Sequence, residues 1–327
     1  MNKITCRATS NIAFTKYWGR IDDTLRLPMN GSVSMNLEAA TTTTTVAFDP
    51  SLEADTIHPN SLSLKDKQAA RVFAQLDRIR QRADITTRAW VATHNNFPMG
   101  AGIASSASGF AALTVAAAHA AGLDLTEREL TILARQGSGS ACRSIPAGFV
   151  EWHYGETDAA SYAEMIAPPD HWDIHDLIAI TQSEHKTVGS AEGNALVTTS
   201  PFNSTRVQLA QQSVETIRAG ILARDWTAFG EETEREAIRL HMVAMTSVPP
   251  IFYWKPVTLA IIQAVIAWRQ AGLQAYYTID AGANVHVLAQ AADADTVAAR
   301  LRAIEGISDV LHSLVGQGAR LLEAHLF

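Results

Sequence analysis

The sequence predicts an α+β fold in two halves that meet near residue 185. Three observations indicate this. Residues 32–48 are rich in Thr and Val and alternate with the two-residue period of a strand. Apolar residues recur at helical spacing over 204–245. Predicted strands and helices are mixed along the chain. A chain of 327 residues is long enough for two domains, each with its own core. We therefore expect one domain over residues 1–185 and a second over 186–327.

The elements of the first half follow from periodicity and turn signals. They are a strand at 4–15, a hairpin within 32–48, a helix at 65–82, a strand at 86–95, a helix at 109–121 and strands at 147–154 and 174–183. The five threonines at 41–45 are typical of a solvated strand. Thr126 and Glu129 form a capping-box pattern, which predicts a helix that ends near Gln136.

The second half is mainly helical. The predicted elements are helices at 204–245 and 256–271, strands at 274–279 and 285–290 around a turn at 280–284, and a helix near 293–304. The acidic run at 231–236 is typical of the solvated face of a helix.

Composition excludes several classes of protein. The chain has 26 basic and 33 acidic residues, and a net charge of −7 argues against nucleic-acid binding. Cys6 and Cys142 form no CxxC or metal pattern, which favours a reducing, cytoplasmic setting. No apolar signal core follows Met1, and the apolar run 111–122 is too short to span a bilayer, so we expect no membrane association.

A Gly/Ser-rich stretch at 97–109 (FPMGAGIASSASG) precedes a predicted helix. Helix N-termini bind anions, and glycine lets a phosphate approach the backbone closely. The stretch is not a Walker A motif, because no Gly-Lys-Ser/Thr follows, and a simple tight connection is the alternative. The predicted nucleotide-binding residues are Gly100, Ala101, Gly102, Ser105, Ser106 and Ser108. Ser106 is the candidate Mg²⁺ ligand, since Mg²⁺ takes few protein oxygens beside those of a nucleotide.

Three further segments carry charged groups among small or aromatic residues: 11–20 (NIAFTKYWGR), 138–144 (SGSACRS) and 278–284 (TIDAGAN). Lys16 and Arg20 could form a cationic wall, Arg143 could clamp a carboxylate, and Asp280 could be a positioned carboxylate. Taken singly, the first two segments could equally be surface turns, and the third alone favours a plain turn-forming Asp. Cys142 has no neighbouring base and is read as a small buried residue.

Together, and in this order, these four segments resemble the mevalonate diphosphate decarboxylases of the GHMP kinase superfamily. The similarity extends over nearly the whole chain. It implies the GHMP kinase fold, with an N-terminal half like ribosomal protein S5 domain 2 and a ferredoxin-like C-terminal half. It also implies ATP and Mg²⁺ as cofactors, a 5-phosphorylated mevalonate as small-molecule substrate, and a homodimer.

The resemblance also implies roles for individual residues. Asp280 would orient and deprotonate the substrate 3-hydroxyl, Lys16 would keep that carboxylate ionised, and Arg143 would hold the C1 carboxylate. The implied substrate-binding residues are Asn11, Tyr17, Arg20, Arg71, Ser138, Ser140, Arg143, Ser190 and Asn194.

Departures from the family pattern bear on the substrate. Arg20 stands where the family has Lys, and the serine-rich diphosphate segment reads GSAEGN at 189–194, in which Ala191 lacks a hydroxyl and Glu192 adds negative charge. These changes favour mevalonate 5-phosphate as the substrate and isopentenyl phosphate as the product. Arg71 favours the alternative, mevalonate 5-diphosphate converted to isopentenyl diphosphate. A mevalonate 3-kinase that does not decarboxylate and a non-catalytic binding module remain further alternatives.

Overall fold

The computed structural model describes residues 2–97, 105–181 and 188–327. The elements up to the end of the first half, in chain order, are β1 (Lys3–Ala13), β2 (Arg20–Asp22), β3 (Leu27–Pro28), β4 (Ser32–Asp49), β5 (Thr56–Ile57), α1 (Asp66–Ala83), β6 (Arg88–Asn95), α2 (Ser105–Ala120), α3 (Glu127–Gly137), a 3-10 helix (Gly139–Ser144), β7 (Phe149–Trp152), β8 (Ala163–Ala167) and β9 (Ile174–Thr181). Those that follow are α4 (Ser190–Ala195), a 3-10 helix (Val197–Thr199), α5 (Asn203–Ala223), α6 (Trp226–Met245), α7 (Pro256–Gln270), β10 (Ala275–Thr278), β11 (Val285–Gln290), α8 (Ala291–Arg302), β12 (Ile307–Ser313) and β13 (Arg320–Leu322). The α+β expectation is confirmed.

The described strands form a seven-stranded sheet, a four-stranded sheet and the small β2–β3 ribbon. The large sheet has the order β13-β1-β4-β6-β5, with β7 and β8 continuing beside the first part of β4. The hairpin predicted within 32–48 is wrong, because β4 is one 18-residue strand. It pairs with β1 along one edge and with β7 and then β6 along the other, so it has no need to fold back on itself.

The threonine run lies in the middle of this sheet rather than on a solvated edge. Thr42, Thr44 and Thr45 are each at most 1% exposed, so the solvated reading is wrong. Their hydroxyls are satisfied inside the protein, for example between Thr42 and Ser108 at 2.7 Å. Buried hydroxyls with hydrogen-bond partners avoid the desolvation cost that an unpaired group would carry.

The small sheet has the order β10-β11-β9-β12, and all its pairs are antiparallel. The last strand of the large sheet before this point, β8, ends at Ala167, and the first strand of the small sheet, β9, begins at Ile174. The chain therefore leaves the large sheet for the small sheet between these two residues. The division at residue 185 stays a prediction. The late strand β13 returns to the large sheet and pairs with β1.

Three apolar clusters hold these layers together. Helices α1, α2 and α3 cover one face of the large sheet, where Leu76 and Phe110 pack near Val91. Helices α5 and α6 share a core with both sheets. Helices α7 and α8 cover the outer face of the small sheet. Among the described residues, no helix combines the length and the apolar character that a membrane span requires.

Candidate active site

A cavity of about 470 Å³ opens where loops from the two halves meet. Its described lining contains five cationic side chains and one carboxylate: Lys16, Arg20, Arg26, Arg71 and Arg143, with Asp280. The whole chain carries a net charge of −7, so this concentration of positive charge is local. A cleft lined by one sign of charge attracts ligands of the opposite sign. The cavity is therefore suited to a highly anionic ligand.

An ion pair joins the two halves at one side of the cavity. Lys16 follows β1, Asp280 follows β10, and Lys16 Nζ donates to Asp280 Oδ1 at 2.7 Å and to the Ala13 carbonyl at 2.6 Å. Burial is the largest influence on Lys16 and lowers its pKa despite the attraction of Asp280. Burial alone would raise the pKa of Asp280, but the charge and hydrogen bond of Lys16 outweigh it and lower that pKa. The carboxylate is thus held ionised and points into the cavity, with about 30% of its side chain exposed.

Two buried charged residues that the sequence reading missed fix the backbone around Lys16. Arg206 on α5 donates to the Lys16 carbonyl at 3.2 Å and to the Trp18 carbonyl at 2.6 Å. Glu236 on α6 accepts from the Lys16 N–H at 3.1 Å. Burial lowers the pKa of Arg206 to about 10, so it remains cationic at neutral pH. Arg206 lies in no motif, and the acidic run 231–236, which includes Glu236, was predicted to be solvated, although Glu236 is fully buried. Helical periodicity alone could not distinguish either residue from an ordinary surface charge.

Arg143, at the end of the 3-10 helix Gly139–Ser144, is only 3% exposed. Its guanidinium donates to Ser32 Oγ at 2.7 Å and to Asn11 Oδ1 at 3.1 and 3.3 Å. These partners are neutral, and among the described residues no carboxylate pairs with it directly. A buried cation held only by neutral groups is poised to take an anionic ligand.

The predicted substrate contact at Asn11 is indirect. Asn11 does not line the cavity, because its side chain lies behind Arg143 and donates to Ser144 Oγ at 2.8 Å and the Ser140 carbonyl at 3.1 Å. Its amide therefore orients Arg143 and the 3-10 helix rather than facing a ligand.

Tyr17 and Arg20 form one wall with Ser138 and Ser140. Arg20 Nε donates to Tyr17 Oη at 2.9 Å. Gly139 lies against the Tyr17 ring, where an added Cβ would come within 2.6–2.7 Å of it. Any larger residue here would displace the Tyr17 side chain, which explains part of the small-residue pattern around Arg143.

The serines at the start of α2 divide into two groups. Ser105 and Ser106 line the cavity, and Ser138 Oγ donates to Ser106 Oγ at 3.2 Å. Ser108 is fully buried against Thr42 and lines neither cavity described here, so the structure does not support it as a direct nucleotide contact. Gly100, Ala101 and Gly102 lie outside the described residues.

A second cavity of about 110 Å³ adjoins the first. The two share Gln68, Arg71, Ser105 and Ser106, and the remaining walls of the second are largely apolar or hydroxyl-bearing: Thr42, Thr44, Leu62, Leu64, Val72, Val91, Thr93, Asn95, Gly109, Phe110 and Leu113. A flat, mostly apolar group fits such walls. No sequence pattern indicates this cavity, because its lining comes from five separate segments.

The predicted residues of α4 also reach the large cavity. Ser190 and Asn194 line it, but Asn194 uses its side-chain amide within the protein. Its Oδ1 accepts from the Gly19 N–H at 2.7 Å and its Nδ2 donates to the Ser190 carbonyl at 3.2 Å. Asn194 thus ties α4 to the loop after Trp18.

Burial shifts the pKa values of Cys142 and His241 so that both side chains are uncharged at neutral pH. Cys142 is fully buried, and burial raises the pKa of its thiol to about 12, so it is not a nucleophile at neutral pH. His241, near Lys16 and Asp280, has its pKa lowered to about 3, first by burial and then by the Lys16 charge. A neutral imidazole there adds no further positive charge. No group of three or more His, Cys, Asp or Glu side chains within the described ranges is arranged to hold a metal.

A two-part family description covers most of this chain. Residues 8–163 match the diphosphomevalonate decarboxylase-like N-terminal domain, and residues 176–322 match the mevalonate 5-diphosphate decarboxylase C-terminal domain. The fold is that of the GHMP kinase superfamily of ATP-dependent enzymes. The chain belongs to the diphosphomevalonate decarboxylase family, which confirms the resemblance found in the four motifs.

Relatives and solved structures agree with this assignment. The diphosphomevalonate decarboxylase of Ganoderma lucidum is 37% identical over 305 residues, which are 86% of this chain and 76% of the relative. The human diphosphomevalonate decarboxylase is 35% identical over 86% of this chain and 75% of its own.

Solved structures of mevalonate diphosphate decarboxylases superpose closely. That from Staphylococcus aureus gives a TM-score of 0.93 at 33% identity, with 98% of both chains covered. The structure from Enterococcus faecalis, which is described in terms of mevalonate diphosphate-mediated ATP binding, gives a TM-score of 0.91 at 35% identity. The match covers 98% of this chain and 99% of that protein. A further structure, "MDDEF in complex with MVAPP, AMPPCP and Magnesium", gives 0.92 at 36% identity over 98% and 99%. The predicted GHMP fold and an ATP-dependent decarboxylase are thereby confirmed.

Proposed function

We propose that the chain catalyses ATP-dependent decarboxylation of mevalonate 5-diphosphate, yielding isopentenyl diphosphate, CO₂, ADP and phosphate. The observation that carries this proposal is the convergence of three groups on one cavity. These are the Asp280 carboxylate, the Lys16 ammonium that pairs with it at 2.7 Å, and the buried Arg143 guanidinium. They come from three distant parts of the chain, and phosphoryl transfer alone does not require an arginine that holds the C1 carboxylate.

The residues present fit a magnesium–nucleotide complex. The second cavity offers a mostly apolar slot for a nucleoside, and Ser105 and Ser106 stand where the two cavities join. Hydroxyls there would face the phosphates, and Ser106 would contribute one oxygen to Mg²⁺ while phosphate oxygens supply others. When bound, the metal neutralises charge on the phosphates. That a relative's solved structure holds AMPPCP and magnesium supports this placement.

The first chemical step requires that the alcohol group of the substrate be oriented for attack. Asp280 would accept a hydrogen bond from the substrate's tertiary 3-hydroxyl and take up its proton as the oxygen attacks the terminal phosphorus of ATP. Lys16 keeps Asp280 ionised beforehand and offsets negative charge that builds up during transfer. ADP leaves, and the substrate then carries a phosphate on C3.

The second step is fragmentation. Arg143 would bind the C1 carboxylate through the N–H groups not used by Ser32 and Asn11, and hold it in line with the C3–phosphate bond. The bond between C1 and C2 breaks, its electron pair forms the C2–C3 double bond, and phosphate leaves from C3 with its bonding electrons. CO₂ and the alkene are released together with phosphate, so atoms and charge balance without an external oxidant.

The choice of the diphosphate departs from the sequence-based preference for mevalonate 5-phosphate. The curated relatives and the solved structures named above are enzymes of the diphosphate, and none supports the monophosphate branch. The cavity itself also favours a larger anion, because Arg20, Arg26 and Arg71 line it in addition to Lys16 and Arg143. Ala191, whose missing hydroxyl favoured the monophosphate, lies on the same cavity as these arginines.

Steady-state kinetics with mevalonate, its 5-phosphate and its 5-diphosphate tests this proposal. CO₂ released from C1 and ADP are measured in parallel. We expect equal rates of both products and the highest kcat/KM with the diphosphate. A higher kcat/KM with the monophosphate would contradict the proposed substrate, and ADP with a 3-phosphorylated product but no CO₂ would show a kinase.

A further inference from the structure

Arg26 is a charged residue of the cavity that no motif includes. It ends the turn between β2 and β3, and its guanidinium reaches the cavity lined by Arg20 and Arg71. Its backbone φ is +53°, in the left-handed region that residues with a side chain adopt uncommonly. An arginine therefore occupies a position that glycine would fill with less strain.

The contacts of Arg26 leave part of its guanidinium available. Nε donates to the Gln136 carbonyl at 2.9 Å, near the end of α3. In the described part of the chain, its two terminal nitrogens donate no hydrogen bond and no carboxylate pairs with it. Arg71 is anchored in a similar way, donating to the Gly137 carbonyl at 3.2 Å and lying over the Phe110 ring. The carbonyls at the end of α3 thus hold two guanidiniums at one side of the cavity.

Three guanidiniums stand close together here. Burial first, and then the charges of Arg20 and Arg71, lower the pKa of Arg26 to about 10. Asp23, which pairs with Arg20 at 2.7 Å, has 79% of its side chain exposed and so offers little compensation. A half-buried cluster of like charges is unfavourable unless a ligand neutralises it.

We propose that Arg26 binds the terminal phosphate of the substrate's 5-diphosphate and makes this chain selective for the diphosphate over the monophosphate. The inference rests on the proposed function. Lys16, Asp280 and Arg143 are close enough to influence one another's charges, and so are Arg20, Arg26 and Arg71. Both groups line the same cavity, so the 5-phosphates of a substrate anchored at Arg143 can extend toward the three arginines. Guanidinium groups form paired hydrogen bonds with phosphate oxygens, which suits them to this role.

Arg26→Gly is the test variant, because glycine relieves the left-handed backbone while removing the guanidinium. Arg224→Gly is the matched control: Arg224 is exposed, lies between α5 and α6, and has a φ of +55°. We expect Arg26→Gly to lower kcat/KM for the diphosphate by about 10- to 100-fold, as loss of a charge-assisted hydrogen bond implies. The loss of kcat/KM with the monophosphate should be smaller. KM for ATP should not rise, and Tm should not fall.

Calorimetric titration with inorganic pyrophosphate separates this inference from the proposed function. We expect wild type and Arg224→Gly to bind it alike, Arg26→Gly at least tenfold more weakly, and Arg26→Lys in between. These titrations do not depend on turnover, so an inactive wild type would overturn the proposed function while leaving this test intact. Unchanged binding by Arg26→Gly, no binding by wild type, or an effect confined to KM for ATP would each overturn the role given to Arg26.

Discussion

Replacing Asp280 by asparagine tests the central carboxylate of the site. The amide keeps the size of the side chain and an oxygen that can accept from Lys16, which lies 2.7 Å from Oδ1. It cannot take up a proton. A positioned general base contributes about 10²- to 10⁴-fold. We therefore expect kcat to fall by that factor, or about 3–5 kcal/mol of activation free energy, with little change in either KM.

The same substitution has a modest effect on stability. A hydrogen bond to a charged partner contributes about 1.5–3 kcal/mol, and removing the negative charge leaves the Lys16 ammonium buried. Because burial already lowers the pKa of Lys16, the variant can release that proton instead of keeping an unpaired charge. We expect a loss of about 1.5 kcal/mol, the lower end of that range.

Single-turnover release of CO₂ from C1 and of ADP measures the chemical steps directly, and thermal unfolding measures the stability change. Asp173→Asn is the control, because the side chain of Asp173 is 70% exposed and lies outside the cavity. It should behave as wild type. A kcat for Asp280→Asn within tenfold of wild type, about 1.4 kcal/mol, would refute the role of Asp280 as the proton acceptor.

Two further predictions concern pH and packing. The pKa of Asp280 in the folded protein is lowered from 3.8, so the stabilisation by its ion pair is fully present above pH 3.8 and is lost as the pH falls through the folded-state pKa. The free energies of unfolding of wild type and Asp280→Asn should therefore differ only above the folded-state pKa of Asp280. The pKa of Lys16 is lowered from 10.5, so kcat should decline at a pH below 10.5, and a decline only above it would contradict a buried catalytic ammonium. Gly139→Ala would push the Tyr17 ring, which lies within 2.7 Å of the new Cβ, and should lower kcat/KM about tenfold with Tm little changed. Kinetics indistinguishable from wild type would show that the Tyr17 wall does not position the substrate.

Periodicity predicted most of the regular elements, because long helices and strands with alternating residues leave clear patterns in the sequence. It failed where tertiary pairing decides the outcome. The 32–48 segment has the composition of a hairpin, yet both of its edges find partners from distant strands. Strands β12 and β13 were missed, since they form by pairing with the distant strands β9 and β1, and β13 has only three residues.

The candidate site was predicted where charge and small residues share one segment, as at Lys16, Arg143 and Asp280. It was missed where a single charge acts from outside a motif. Arg206 and Arg26 are such cases. The acidic run 231–236 was read as solvated, but Glu232, Glu234 and Glu236 are buried, and Arg239 and Arg269 neutralise them. Arg239 lies on α6 itself, but Arg269 lies on α7, and the pattern of residues 231–236 alone cannot reveal a counter-charge on another helix.

The ion pair between Lys16 and Asp280 also has a consequence for biosynthesis. The two residues are 264 positions apart, so a ribosome adding about 5–20 residues per second needs roughly 13–53 s to deliver the second after the first. During that interval any early structure around Lys16 holds an ammonium without its counter-ion. Completion of the pair therefore coincides with docking of the late-made part of the chain, and nascent fragments that stop short of residue 280 are expected to be inert.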